Sequence, residues 1–123
     1  MVYLIGAGAG DPELITLKAV RILKQVDVVL YDYLVHPNIV LIASQAEKIC
    51  VGKKKGAHST LQVDINDQMV KYAEKGLTVA RLKGGDPMVF GRCGEEMMAL
   101  NRRNILYEVI PGISSAIAVP TYA

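Results

Sequence analysis

Cysteine is scarce in this chain of 123 residues: Cys50 and Cys93 are the whole complement. Two are too few for a disulfide framework, and they lack metal-ligand spacing, so the sequence predicts a reducing, cytoplasmic setting and no metal site. Charge of one sign is lacking too. Fourteen Lys and Arg against twelve Asp and Glu leave a net +2, and no aromatic residues are interleaved among the basic ones, so a nucleic-acid partner is not supported. Long apolar runs are missing as well. The longest uncharged stretch, Val109 to Ala123, is too short to cross a bilayer and contains Pro111, Gly112 and Pro120. The opening run, Val2 to Ile5, has neither the basic stretch nor the cleavage site of a secretory signal. What is present excludes disorder, because 51% of residues are hydrophobic and the charges nearly balance. A chain of this length is expected to form one domain that buries about two-thirds of its unfolded surface.

Hydrophobic periodicity switches repeatedly between short apolar runs and helical spacing, the pattern of alternating strands and helices. Strands are predicted at Val2–Ile5, Val28–Tyr31, Lys48–Val51, Leu77–Leu82 and Leu106–Ile110, each apolar enough to be buried on both faces. The fold class is therefore α/β, a mostly parallel five-stranded sheet with flanking helices. One helix is predicted over Pro12 to Lys24, with Asp11 as N-cap and Ile15, Ala19, Ile22 and Leu23 in one stripe. Ile65, Met69, Tyr72 and Ala73 predict a second helix that ends at Gly76. Glu95 to Arg103 predicts a third, acidic at its start and basic at its end, as the helix dipole favours. Ile113 to Ala123 is small, apolar and uncapped, and we expect a second domain to follow it; a helix that docks at the end of the sheet is the alternative.

Five segments after strands could carry chemistry. Gly6-Ala7-Gly8-Ala9-Gly10-Asp11-Pro12 lies where a dinucleotide fold places its phosphate loop. The third glycine of that fingerprint is replaced by Asp11, whose carboxylate would repel a pyrophosphate. This counts against a nicotinamide-dinucleotide-binding module with Asp32 on a ribose, and in favour of a tight loop of close approach. Asp32 itself ends a buried strand, at the edge where ligands bind in such sheets; a loop aspartate bonding its own backbone would look the same. Lys53, Lys54 and Lys55, between Gly52 and Gly56, could hold an anion or form a solvated basic turn. Arg81 to Glu96 is the most constrained stretch. Gly84 and Gly85 let backbone approach a ligand, Asp86 can accept from an ammonium or hydroxyl group, and Arg92 offers a planar fork for carboxylates. Finally, Ser114 and Ser115 could line a ligand or begin a helix, and neither has a His and Asp arranged as a triad.

These residues together resemble the tetrapyrrole methylase family over essentially all 123 positions. The resemblance runs from the Gly6–Pro12 loop through the Asp27–Asp32 run, Gly52-Lys53, His58, Gln62 and Asn66. It continues through Lys83-Gly84-Gly85-Asp86-Pro87, Phe90-Gly91-Arg92, Gly94-Glu95-Glu96 and Pro111–Ser115. The Arg81–Glu96 segment points to the branch acting on uroporphyrinogen III; a related precorrin (corrinoid) C-methyltransferase is the alternative within the family. The resemblance implies the first half of a two-domain fold, with residues 1–123 as the N-terminal domain. It also implies transfer of methyl groups from S-adenosylmethionine to two ring carbons of uroporphyrinogen III. Precorrin-2 would form by way of precorrin-1, for sirohaem or cobalamin synthesis, without a metal or a membrane and in a homodimer.

By the same resemblance the methyl donor contacts Ala9, Gly84, Gly85, Asp86, Met88, Val89, Ser114 and Ser115. Asp32 corresponds to a proton acceptor and Lys53 to a proton donor, while Arg92 and Glu95 correspond to residues that handle substrate, with Arg92 also suggested as the base. The carboxylate arms of the substrate account for Lys54 and Arg81 as further substrate contacts. Lys54 and Lys55 would push the pKa of Lys53 down, toward useful proton exchange. Three positions depart from the family pattern: Ala9 for the usual Pro, Met88 for Phe, and Cys93 for Gly. If the last position needs positive φ, Cys93 is expected to be strained by about 1–2 kcal/mol.

Overall fold

The structure, a computed structural model, describes residues 1–52, 62–86 and 93–114. Lys53, Lys54, Lys55, His58, Met88, Val89, Arg92 and Ser115 lie outside the described residues. Five strands form one parallel sheet: β1 (Val2–Gly6), β2 (Val28–Asp32), β3 (Glu47–Gly52), β4 (Val79–Lys83) and β5 (Tyr107–Ile110). All five predicted strands are present. Their spatial order is β3-β2-β4-β1-β5, so β4 is central, paired to β1 on one side and β2 on the other. Every residue of β4 is buried: Val79, Ala80 and Leu82 lie in the apolar cores, and Arg81 and Lys83 among charged partners.

Two separate cores lie on the two faces of the sheet. On one, α1 (Leu17–Leu23) and α2 (Pro37–Val40) pack Ala19, Ile22, Leu23 and Ile39 against Ile5, Val29, Ala80, Leu82 and Ile110. On the other, α3 (Gln62–Glu74) and α4 (Cys93–Arg102) pack Ile65, Met69, Cys93 and Leu100 against Val2, Leu4, Val28, Leu30 and Val79. Right-handed crossovers running in opposite directions along a sheet must use opposite faces. As a result, the chain leaves β1 and β2 toward one face but leaves β4, between them, toward the other. In open sheets of this type such a divergence is where a ligand crevice forms, here at the carboxyl end of β4. Among the described residues no helix is long and apolar enough to cross a membrane.

The helix predicted over Pro12 to Lys24 is instead two pieces. Asp11 caps only a short 3-10 turn, Pro12–Leu14, by accepting from the Glu13 N–H. Ile15 and Thr16 are then extended, and the Thr16 hydroxyl caps α1 by accepting from the Ala19 N–H at 3.2 Å. The apolar stripe was read correctly, but a second cap within it restarts the helix. α2 has no counterpart in the sequence reading because four residues cannot display a period. α3 ends as predicted at Gly76, with φ +84° and N–H donations from Gly76 to Ala73 O and from Leu77 to Tyr72 O.

The glycine that ends β1 and those in the loops after β4 and β5, Gly6, Gly85 and Gly112, touch one another. A Cβ on Gly6 would stand 2.5 Å from Gly85 O and 2.7 Å from the Gly112 nitrogen, and one on Gly112 would strike Gly85 O. All of these neighbours are backbone, so nothing flexible can yield. Gly6→Ala is therefore expected to cost about 3 kcal/mol by forcing strands and loops apart. Gly84→Ala, whose Cβ would meet nothing within 4 Å, should leave stability nearly unchanged. Urea unfolding midpoints of the two variants, compared with the parent, test the contrast.

Candidate active site

Three loops converge at the carboxyl edge of the sheet. After β1, Ala7 N–H donates to Lys83 O at 2.7 Å, and Gly8 and Gly85 exchange two backbone hydrogen bonds of 3.1 and 2.7 Å. Gly8 and Gly85 both adopt positive φ, +86° and +67°, which only glycine takes without strain. The loop after β5 closes over the same point: Ser114 is buried, and its Cα lies 3.8 Å from where a Cβ on Gly85 would be. Ala9, Gly84, Gly85, Asp86 and Ser114 are thus gathered on three loops that share backbone contacts. Gly84 leaves open space above its Cα. Unobstructed backbone, with a carboxylate and a hydroxyl close by, suits a small polar ligand bearing ammonium and hydroxyl groups.

Beside these loops lies a buried set of four charges. Arg81 and Lys83 alternate with Ala80 and Leu82 along β4, so both cations project onto the α3/α4 face. Each meets Glu96 of α4: Arg81 Nε donates to Oε2 at 2.7 Å and Lys83 Nζ to Oε1 at 2.5 Å. Arg81 Nη2 reaches across to β2 and pairs with Asp32 Oδ1 at 2.9 Å, while Nη1 donates to Leu30 O and Leu82 O. Gln62 of α3 donates to Glu96 Oε2 at 3.4 Å and to Asn66 at 2.8 Å. Glu96 is fully buried, Arg81 and Lys83 nearly so, and Asp32 is 28% exposed at the strand end. Two cations and two anions leave the set neutral, the condition under which buried ions are tolerable.

Asp32 pairs in register with Gly52 of β3, after a shift between Tyr31 and Asp32; Lys53, the next residue, is outside the described ones. Arg81 does not face solvent: it is 2% exposed, although its partner Asp32 reaches the strand end. Glu95 lies on the exposed side of α4, near Val63, Asn66 and Met98. Lys83 and Glu96 were not singled out from sequence, yet both left a signal. Lys83 shares the period of Arg81 along β4, and Glu96 lies three residues after Cys93 and four before Leu100, the other buried residues of α4.

Cys93 opens α4 with its side chain in the core. The strain expected at this position is absent, because a helical first turn needs no positive φ, and the thiol fills space against the sheet. Burial pushes the Cys93 thiol above its ordinary value; Lys83 pulls it back in part, while Glu96 and Asp86 add to the rise. The start of α4 therefore lies within electrostatic reach of both the charge set and the glycine loops.

The profile of the tetrapyrrole (corrin/porphyrin) methylases matches residues 1–123. The chain is 56% identical over 123 residues to uroporphyrinogen-III C-methyltransferase of Methanocaldococcus jannaschii, covering 99% of this chain and 51% of the relative. It is 53% identical to siroheme synthase of Photobacterium profundum, over 99% of this chain and 26% of that protein. Among solved structures, uroporphyrin-III C-methyltransferase of Thermus thermophilus, complexed with S-adenosylhomocysteine, superposes with a TM-score of 0.84 at 50% identity. That match covers 97% of this chain and 51% of the other. A cobalt precorrin-4 methyltransferase of cobalamin biosynthesis superposes at 0.83 with 35% identity, over 98% and 49%. The chain spans about half the length of the methyltransferases it matches.

The buried thiol carries a pH signature. A folded-state pKa raised above the unfolded value contributes stability that is complete below the unfolded pKa and is lost as pH rises through the folded one. The intact protein is therefore expected to lose stability on going from about pH 8 to about pH 10 more steeply than its Cys93→Ala variant. Urea melts across that range test this, and parallel slopes for the two proteins would refute it.

Proposed function

The chain belongs to the tetrapyrrole (corrin/porphyrin) methylases, and from that premise we propose that it is one domain of an S-adenosylmethionine-dependent C-methyltransferase acting on uroporphyrinogen III. Two ring carbons are methylated, giving precorrin-2 by way of precorrin-1 for sirohaem or cobalamin synthesis. The observation that carries this is one of adjacency. The three glycine-bearing loops and the Asp32–Arg81 pair flank the end of one central strand, β4. A ligand on the loops after β4, β1 and β5 would lie about one to three strand spacings, roughly 5–15 Å, from the Asp32 carboxylate. Further support comes from the 50% identity to a methyltransferase crystallised with S-adenosylhomocysteine. The corrinoid alternative is disfavoured by its lower identity, 35%.

The donor supplies an electrophilic methyl group for in-line displacement. The chain's residues hold it and orient it, and alignment of that kind supplies much of the rate. Backbone of the loop around Ala9 and of Gly84 and Gly85 forms the floor. Asp86 accepts from the donor's polar groups and Ser114 closes the side; by the family reading Ser115, Met88 and Val89 also contact the donor. Methylating a ring carbon leaves protons to be moved. Asp32 accepts one at the crevice, and Lys53 returns one. Lys54, Arg92 and Glu95 engage the substrate's polar arms, whereas Arg81 acts through Asp32. Relatives of twice this length support a second domain that closes the cleft, without which residues 1–123 transfer no methyl group. Cytoplasmic location and homodimer assembly, with no metal, follow from the same family reading.

Two measurements test this. Anaerobic incubation of the intact protein with uroporphyrinogen III and S-adenosylmethionine should add two methyl groups to the substrate by mass spectrometry. No addition by folded protein would reject the substrate. Asp86→Ala should weaken S-adenosylhomocysteine binding about tenfold or more by calorimetry, the scale of a lost hydrogen bond to a charged group. Unchanged affinity would remove Asp86 from the donor site.

A further inference from the structure

Glu96 and Lys83 have no part in the roles above, yet they are ionised groups held inside the core next to one that does. We infer that Glu96 and Lys83 are positioning residues for Asp32, acting through the Arg81 guanidinium. This rests on the proposed role of Asp32 as proton acceptor.

The guanidinium is planar, and all three of its nitrogens are engaged, so fixing two of them fixes where the third points. Nε is held at 2.7 Å by the fully buried Glu96, and Nη1 by two strand carbonyls; what remains, Nη2, is thereby aimed at Asp32 Oδ1. Asp32 ends a strand, at a register shift, and its carboxylate is held by Arg81. Glu96 is fixed in turn by Gln62, which Asn66 holds, and by Lys83 on its other oxygen. Asp32 thus takes its orientation from side chains on α3, α4 and β4, none of which neighbours it in sequence.

The same set controls the charge that Asp32 experiences. Among the described residues, Arg81 faces it from β4, with Glu96 and Lys83 behind Arg81. From β3 its register partner is Gly52, which has no side chain, and its own strand supplies Tyr31 and, beyond it, Tyr33. Removing Glu96's charge leaves the set with an excess of +1, which favours the carboxylate form of Asp32. Removing Lys83's charge leaves −1, which favours the protonated form. The two changes must therefore move the titration of Asp32 in opposite directions. Side chains that served only as packing, with no charge felt at Asp32, would change stability and give no such pair of signs.

The test is carbon-13 NMR titration of carboxyl-labelled aspartate in the intact protein, with the Asp32 resonance assigned by its absence from Asp32→Asn. Glu96→Gln should lower the Asp32 midpoint and Lys83→Met should raise it, relative to the parent. Midpoints that stay at the parent value, or that move in the same direction in both variants, would overturn the inference. Lys83→Met replaces a buried cation by an apolar side chain of similar shape. If Glu96→Gln does not fold, the sign of the Lys83→Met change alone decides. The titration requires no turnover. Full methyl transfer by Asp32→Asn would instead remove Asp32 as the base, a separate failure read in a separate assay.

Discussion

A guanidinium in the middle of a parallel sheet, with apolar cores above and below, is the arrangement on which the rest of this domain turns. Arg81 occupies the central strand and is almost completely buried. An unpaired cation there would cost several kcal/mol, enough to threaten a domain of this size. Two carboxylates from different elements meet it, Glu96 from α4 and Asp32 from β2, and Lys83 restores neutrality. Each ion is tolerable only because the others are present, so β2, β4 and α4 are tied together by charge as well as by apolar contact. That tie sits at the carboxyl end of the strands, where opposite crossovers leave the chain open to a ligand.

The glycine contacts impose a complementary constraint on the other side of β4. Gly6, Gly85 and Gly112 approach so closely that no Cβ fits at the first and last of them. Backbone, and little side chain, forms the surface there. Polar groups with no rotamers to lose make a floor already shaped for a ligand, and a smaller ordering cost on binding follows. One side of β4 thus offers a rigid backbone floor and the other a set of ionised groups, which is what a reaction needs when it requires both alignment and a place for protons.

Most of this architecture was legible in the sequence, for identifiable reasons. Strands buried on both faces leave unbroken apolar runs, and all five were visible. So was α3, whose stripe and terminal Gly76 agree. Thr16 was overlooked because a capping residue inside a good stripe does not break the stripe, and α2 because one turn has no period. The loops with Gly84, Gly85, Asp86 and Ser114 were recognisable as a group, since glycines and small polar residues cluster after strands. The partnership of Arg81 with Glu96 was not. It joins positions brought together by a crossover, and local pattern gives no reason to prefer Glu96 over Glu95 until burial is consulted along the helix.

The position of β1 has a consequence for how the chain folds. Of the described strands β1 is made first, yet both its neighbours come late in the chain, β4 and β5. β2 and β3, by contrast, pair soon after synthesis, across a short connection. During translation, at about 5–20 residues per second, Val2–Gly6 must wait several seconds as an unpaired apolar strand until Val79–Lys83 emerges, and longer for its second neighbour, Tyr107–Ile110. Non-local parallel pairing of this kind is intrinsically slow, and its exposed edges invite association with other chains. The brevity of β1, five residues ending in glycine, limits how much sticky edge the nascent chain displays during that wait.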